Sequence, residues 1–198
     1  ISSVINEALL LGADSDFGYD YVKDFEARFL FKSRDPIPTG WPEIDAITHQ
    51  GLGKGELGVV IAPTGAGKSM ALVHLAAEAL KNGKNVVYYT LELAETVIAS
   101  RFDSCITNVP LNDLRDFKDE IFEKVHMLDG KLVVKEYSFV SHLSNTLKAH
   151  LEKVTKRGLK VDMIVVDYGD LLRPTSTLRE KRHELETIYE QLRGLAQE

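Results

Sequence analysis

The run Ala62-Pro63-Thr64-Gly65-Ala66-Gly67-Lys68-Ser69 gathers the residue types that can hold a polyphosphate. Backbone N–H groups can wrap an anion only where the chain takes unusual dihedrals without a blocking Cβ, and Gly65 and Gly67 allow that. The Lys68 ammonium can reach β- and γ-phosphates, and the Ser69 hydroxyl can ligate Mg²⁺. An apolar stretch precedes the run and an amphipathic one follows it, the strand-to-helix context in which Gly-x-x-x-x-Gly-Lys-Ser/Thr becomes a credible phosphate loop. A helix opening there points its positive end at the anion. Alanine at 62 replaces the first glycine of the strict pattern, at a position that begins the loop without touching phosphate. The expectation is a nucleoside triphosphate with Mg²⁺, held by Pro63, Thr64, Gly65, Ala66, Gly67, Lys68 and Ser69.

Two carboxylates can complete such a site. Asp167 ends the apolar run Met163–Val166, and Glu92 follows the run Val86–Leu91. In an open parallel sheet, ligands bind beyond the carboxyl ends of the strands, which is where both acids fall. Asp167 is expected to hold Mg²⁺ through bound water and to meet the loop hydroxyl; Glu92 is placed to orient and deprotonate an attacking water. A solvated acid at a strand end is the plainer reading of each. His49, His74, His126, His142, His150 and His183 show no ligand spacing that reads as a metal site. The sole cysteine, Cys105, excludes an internal disulfide and reads as a small half-buried apolar residue suited to a reducing interior.

These residues need a scaffold, and the chain supplies two parts. Residues 1 to about 34 read as helix, with Phe17, Tyr21, Phe25 and Phe29 recurring every fourth position as a docking stripe. Asp35-Pro36-Ile37-Pro38-Thr39-Gly40 breaks it. Beyond lies an alternation of short apolar strands at Leu57–Ala62, Val86–Leu91, Leu132–Val134 and Met163–Val166 with helices near 68–82, 95–106, 113–127 and 143–157. Leu143, Leu147, Leu151 and Val154 line one face of the last of these, and Gly83 and Gly158 fall at helix C-caps. A final helix carries Leu185, Ile188, Leu192 and Leu195. The pattern predicts a parallel sheet covered by helices on both faces.

With 198 residues, one domain with a real core is possible. Hydrophobic content of 44% and charged content of 27% lie near globular averages and argue against disorder. No apolar run reaches the roughly 18 residues of a membrane span. The start, Ile1-Ser2-Ser3-Val4, lacks a signal-peptide pattern and a methionine, so the chain reads as cytoplasmic and as part of something longer. A net charge of −6 gives no general pull on nucleic acid, so any such contact needs a local basic patch.

Several stretches together resemble one family. Thr39-Gly40-Trp41-Pro42-Glu43-Ile44-Asp45 and Gly55-Glu56-Leu57 look like the entry to the RecA-like motor domain of DnaB-type replicative helicases. Thr90-Leu91-Glu92-Leu93 is similar to that family's strand ending in its catalytic glutamate. Ile164-Val165-Val166-Asp167-Tyr168 resembles its second nucleotide motif, and Leu192–Glu198 the helix before its next core strand. Tyr19–Phe29 and Gly130–Tyr137 look most like tailed-phage members. The resemblance covers about 35–198 and, more loosely, 1–34.

It implies a RecA-like P-loop ATPase that uses ATP and Mg²⁺, forms a hexameric ring and moves along single-stranded DNA, with a primase and a helicase loader as further partners. Residues 1–34 would be a linker helix docking on a neighbouring subunit, and 35–198 the motor domain. Arg173, Arg179, Lys181 and Arg182 fall on the loop where the family first contacts DNA; a solvated charge run is the other reading. Asp170 stands where the family usually has a phosphate-sensing glutamine. The family's later strands, remaining DNA loops and arginine finger would lie beyond Glu198, so this chain alone is expected to hydrolyse poorly. A RecA/RadA-like recombinase and a KaiC-like regulatory ATPase share the same nucleotide motifs and are the competing readings.

Overall fold

A computed structural model describes residues 18–29, 34–137, 143–167 and 181–197, the side chains of Arg28, Leu143, Ser144 and 181–185 excepted. The chain divides into two units, Ile1–Arg34 and Asp35–Glu198. In the first, the described stretch is a series of turns ending in a short 3-10 helix, Glu26–Arg28, rather than the expected α-helix. The reason is local. The Asp20 carboxylate accepts the N–H groups of Val22 and Lys23, and Asp24 accepts that of Asp20. Such side-chain bonds offer the backbone an alternative to the helical ladder. Of the aromatic stripe, Phe25 and Phe29 meet at 5.1 Å, Tyr21 is exposed, and Phe17 lies outside the described residues.

The second unit is built on a three-stranded parallel sheet of order β2-β1-β3, with β1 at Val86–Thr90, β2 at Leu132–Glu136 and β3 at Met163–Asp167. Central β1 is buried along its whole length. Its side chains alternate between two helical layers, as the pleat dictates. Val86 and Tyr88 face α2 (Lys68–Lys81) and α3 (Glu95–Thr107). Val87, Tyr89 and Leu91 face α5 (Leu143–Lys156) and α6 (Lys181–Gln197). Helices therefore cover both faces, as the alternation predicts. Two further helices are α1 (Pro42–Ile47) and α4 (Lys118–His126). The latter starts later than expected because 111–117 fold as turns.

Small residues let α2 sit close to the sheet: Ala76, Ala77 and Ala79 are fully buried beside Val73 and Leu80. Gly83, at φ +71, closes this helix, as Gly158, at φ +87, closes α5. Leu147 and Val154 of α5 and Ile188 of α6 are buried in the second layer, with Leu151, Leu192 and Leu195 packed around them. Cys105 is half-buried against the first layer, and burial pushes its thiol up. Asn85 ties the strand starts together. Its N–H donates to the Asp162 carboxylate, its side-chain amide to the Lys160 carbonyl, and its side-chain Oδ1 accepts from the Lys131 N–H.

The expected strand Leu57–Ala62 does not join this sheet. Residues 57–62 make no ladder among the described residues, and Val59 and Ile61 are 48% and 90% exposed. Strand propensity is realised only against a paired neighbour, and none of the described strands supplies one here. The stretch before it is fixed by a bridge between Ile37 and Leu52. Gly51 makes that bridge possible: at φ +110, a Cβ would lie 1.9 Å from the Ile37 carbonyl oxygen.

Gly51→Ala should therefore cost on the order of 1–3 kcal/mol from backbone strain alone, lowering the melting temperature by roughly 3–10 °C. Gly194→Ala should do the opposite, because Gly194 sits within α6 with nothing within 4 Å of an added Cβ. A helix-interior alanine gains about 0.5–1 kcal/mol over glycine. Thermal melting of both variants checks the pair. A pH test follows from His150, whose Nδ1 lies 2.9 Å from the Tyr89 hydroxyl. Burial, then Lys135, Lys153 and Arg157, hold the imidazole below its ordinary pKa of 6.5. The unfolded chain thus takes up the proton first, and His150 costs stability as pH falls from 6.5 through its folded value. Melting temperatures at pH 7.5 and 5.5 should fall less in His150→Gln than in the parent chain.

Candidate functional site

The run 62–69 has the backbone that its glycines allow. Gly65 and Gly67 lie at φ +79 and +91, and a Cβ on either would meet nothing within 4 Å. Open space thus lies beside both glycines. Gly67 is the left-handed N-cap of α2, with no side-chain cap. The first-turn N–H groups of Lys68 and Ser69 belong to the end of a helix where backbone donors lack intrahelical acceptors. Ala62 is not among the residues with positive φ, so this loop makes no demand for glycine there. Its carbonyl oxygen accepts from Lys68 Nζ at 2.9 Å, and the Pro63 carbonyl lies 3.5 Å from the same nitrogen. The lysine therefore arches back over the loop it follows.

Ser69 and Asp167, 98 positions apart, meet: Ser69 Oγ donates to Asp167 Oδ1 at 3.1 Å. Asp167 is the last residue of β3 and is 3% exposed. The other carboxylate oxygen accepts from the Tyr88 hydroxyl at 2.9 Å. Burial first, and then the Asp167 charge, raise that hydroxyl far above the usual phenol range, so it remains a donor. Tyr88 was not singled out in the sequence. The signal was available: a phenol in a wholly buried strand must find an acceptor.

Glu92 occupies the same rim. Thr90 of β1 stands opposite Asp167 in the ladder, and the Leu91 N–H donates to the Asp167 carbonyl at 2.9 Å. Glu92 follows directly and is exposed. Its turn is locked by Thr90 Oγ1, which donates to the Leu93 carbonyl and accepts the Leu93 N–H. Beyond it, Glu95 opens α3 and accepts from the Glu136 N–H and Lys135. These two contacts, the backbone one first, hold its carboxyl below the usual range.

The structure thus brings Ser69 and Asp167 together, turns the neighbouring Lys68 back onto the Ala62 and Pro63 carbonyls, and sets Glu92 at the same sheet end. Arg173, Arg179 and Asp170 lie outside the described residues. Lys181 and Arg182 are the first residues of α6 rather than loop residues, since Lys-Arg-His-Glu-Leu-Glu favours helix. Upstream, Asp45 accepts from the Thr39 N–H and hydroxyl and from the Gly40 N–H, folding the entry turn over α1. Trp41 stacks on His74 of α2 at 4.4 Å. Among the described residues, no helix is long and apolar enough to cross a membrane.

The model of the DnaB-like helicase C-terminal domain matches residues 36–198. A DnaB-like replicative helicase of Enterobacteria phage T4 is 31% identical over the full chain, which spans 45% of that protein's length. Among solved structures, a DnaB-like replicative helicase studied for its interactions with primase superposes with a TM-score of 0.71 at 15% identity, covering 99% of this chain and 49% of that one. The ATPase domain of G40P gives 0.67 at 16% identity, with 97% and 66% covered. The last two show the fold, which is that of the RecA-like ATPase domains expected from the sequence. Of the three readings left open by the nucleotide motifs, the family match selects the first: the chain belongs to the DnaB-like helicase C-terminal domain family.

Proposed function

We propose that residues 35–198 are the ATP-binding and hydrolysing part of a replicative DNA helicase that works as a hexamer on single-stranded DNA. The observation that carries this reading is the meeting of Asp167 with Ser69, in the first turn of the helix that Gly65 and Gly67 lead into, with open space beside both glycines. A hydroxyl paired with a buried carboxylate is a donor set suited to hydrated Mg²⁺. Bound there with nucleotide, the ion would neutralise charge on the β- and γ-phosphates.

Each residue then has a task. The backbone from Pro63 to Ser69 cradles the phosphates, and Lys68 leaves its carbonyl contacts for the β- and γ-oxygens. Ser69 and Asp167 would hold the hydrated Mg²⁺. Glu92, exposed at the rim, orients water and accepts its proton. Arg173, Arg179, Lys181 and Arg182 contact DNA phosphates without reading sequence. Residues 1–34, a separate unit, dock through their aromatic residues on a neighbouring copy. Primase and a loader are further partners, in the cytoplasm of a bacterium or a phage-infected host.

The test is Mg²⁺-dependent binding of a fluorescent ATP analogue by the parent chain and by Lys68→Ala. A charge-assisted contact of this kind contributes about 1.5–3 kcal/mol, so the variant should bind roughly 10- to 100-fold more weakly. Equal binding by both would reject the phosphate-loop reading. A second expectation concerns DNA. Alanine at Arg173, Arg179, Lys181 and Arg182 should weaken single-stranded DNA binding equally across sequences and flatten its salt dependence. Loss confined to particular sequences would argue against a phosphate-contacting role.

A further inference from the structure

Asp167 has a partner that the phosphate-loop motif does not require. Ser69 Oγ holds Oδ1 at 3.1 Å, while Tyr88 donates to Oδ2 at 2.9 Å. An aspartate's terminal torsion is soft, so one donor leaves the carboxylate plane free to swing. Two donors on different oxygens fix that plane.

Tyr88 is itself rigidly held. It is fully buried, its backbone pairs opposite Val165 in β3, and its ring stands edge-on to Phe102 at 5.6 Å and 88°. Its hydroxyl therefore has little choice of direction. The adjacent Tyr89 faces the opposite layer, where its hydroxyl meets His150 instead. A phenylalanine at 88 would fill nearly the same volume, so the oxygen is the informative atom.

We propose that Tyr88 is a positioning residue for Asp167. Its hydroxyl anchors Oδ2, leaving Oδ1 as the oxygen presented to Ser69 and to a hydrated cation. The same residue ties the carboxylate to β1, the strand whose exit carries Glu92. The proposal rests on the nucleotide reading of this site. The competing account is purely structural: Asp167 merely satisfies a buried phenol. The two differ in what the hydroxyl does for metal binding.

Tyr88→Phe in the 198-residue chain separates them. Binding of a fluorescent ATP analogue is followed while Mg²⁺ is titrated, and melting is recorded without metal or nucleotide. The Mg²⁺ concentration at half-saturation should rise roughly tenfold, as expected for losing a hydrogen bond to a charged group. Analogue affinity at saturating Mg²⁺ should change little, because Lys68 and the loop backbone are intact. A lowered melting temperature with an unchanged Mg²⁺ midpoint would overturn the positioning role. Tyr88→Met, which also lacks the donor, gives the same reading if the phenylalanine variant does not fold. The Lys68→Ala chain, run alongside, separates the two claims. If it binds like the parent, the nucleotide reading falls and takes this proposal with it. If it loses binding while Tyr88→Phe keeps the parent's Mg²⁺ midpoint, only the positioning role fails.

Discussion

The parallel register of β1 against β3 is the constraint on which the site depends. With Thr90 opposite Asp167, the two strands end at one level and release their acidic residues at the same rim. Helix α2 packs along the sheet face, where Val73, Ala76, Ala77 and Leu80 are buried with Val86 and Tyr88. Its first turn consequently reaches Asp167, and Ser69 makes the contact. A slip of one residue in β3 would turn Asp167 toward the α5 and α6 layer, away from the loop, and one in β1 would turn Tyr88 and Thr90 there. The bonds of Asn85 to Lys131, Lys160 and Asp162 oppose that slip at the far end of the sheet.

Much of this was legible because the signals were local. Glycine, lysine and serine at fixed spacing between an apolar and an amphipathic run specify both a backbone shape and its chemistry. The strands β1, β2 and β3 were legible as short apolar runs between helical periods, and Gly83 and Gly158 marked helix ends. Asp167 was legible as the acid closing one of those runs. What sequence spacing did not disclose was partnership across distance. Tyr88 and Tyr89 are neighbours of the same type, yet one meets Asp167 and the other His150. Only the pleat and the identity of the facing strand or helix separate them.

The two misread segments fail for opposite physical reasons. In 18–29 the aromatic period suggested a helix, but Asp20 and Asp24 spend their carboxylates on nearby N–H groups and hold the chain in turns. Local chemistry there overrode the period. In 57–62 the local chemistry favours a strand, and context withholds it: the segment has no ladder partner among the described residues, and its side chains stay exposed. Hydrophobic pattern reports what a segment could bury, while pairing decides whether it does.

The rim also shows why one strand can serve two tasks at once. Tyr88 faces the α2 layer and fixes Asp167; two residues on, Thr90 points to the same face and locks the turn that carries Glu92. Both residues are fully buried, so neither yields readily to solvent or to a rotamer change. A displacement of β1 along its axis would therefore move the support of Asp167 and the turn of Glu92 together. The group proposed to hold the metal's water and the group proposed to activate the attacking water are thus kept in fixed relation by the most deeply buried strand. Hydrolysis needs these groups in a common geometry at one instant. Placing both supports on a single rigid element meets that need without requiring any direct contact between Glu92 and Asp167.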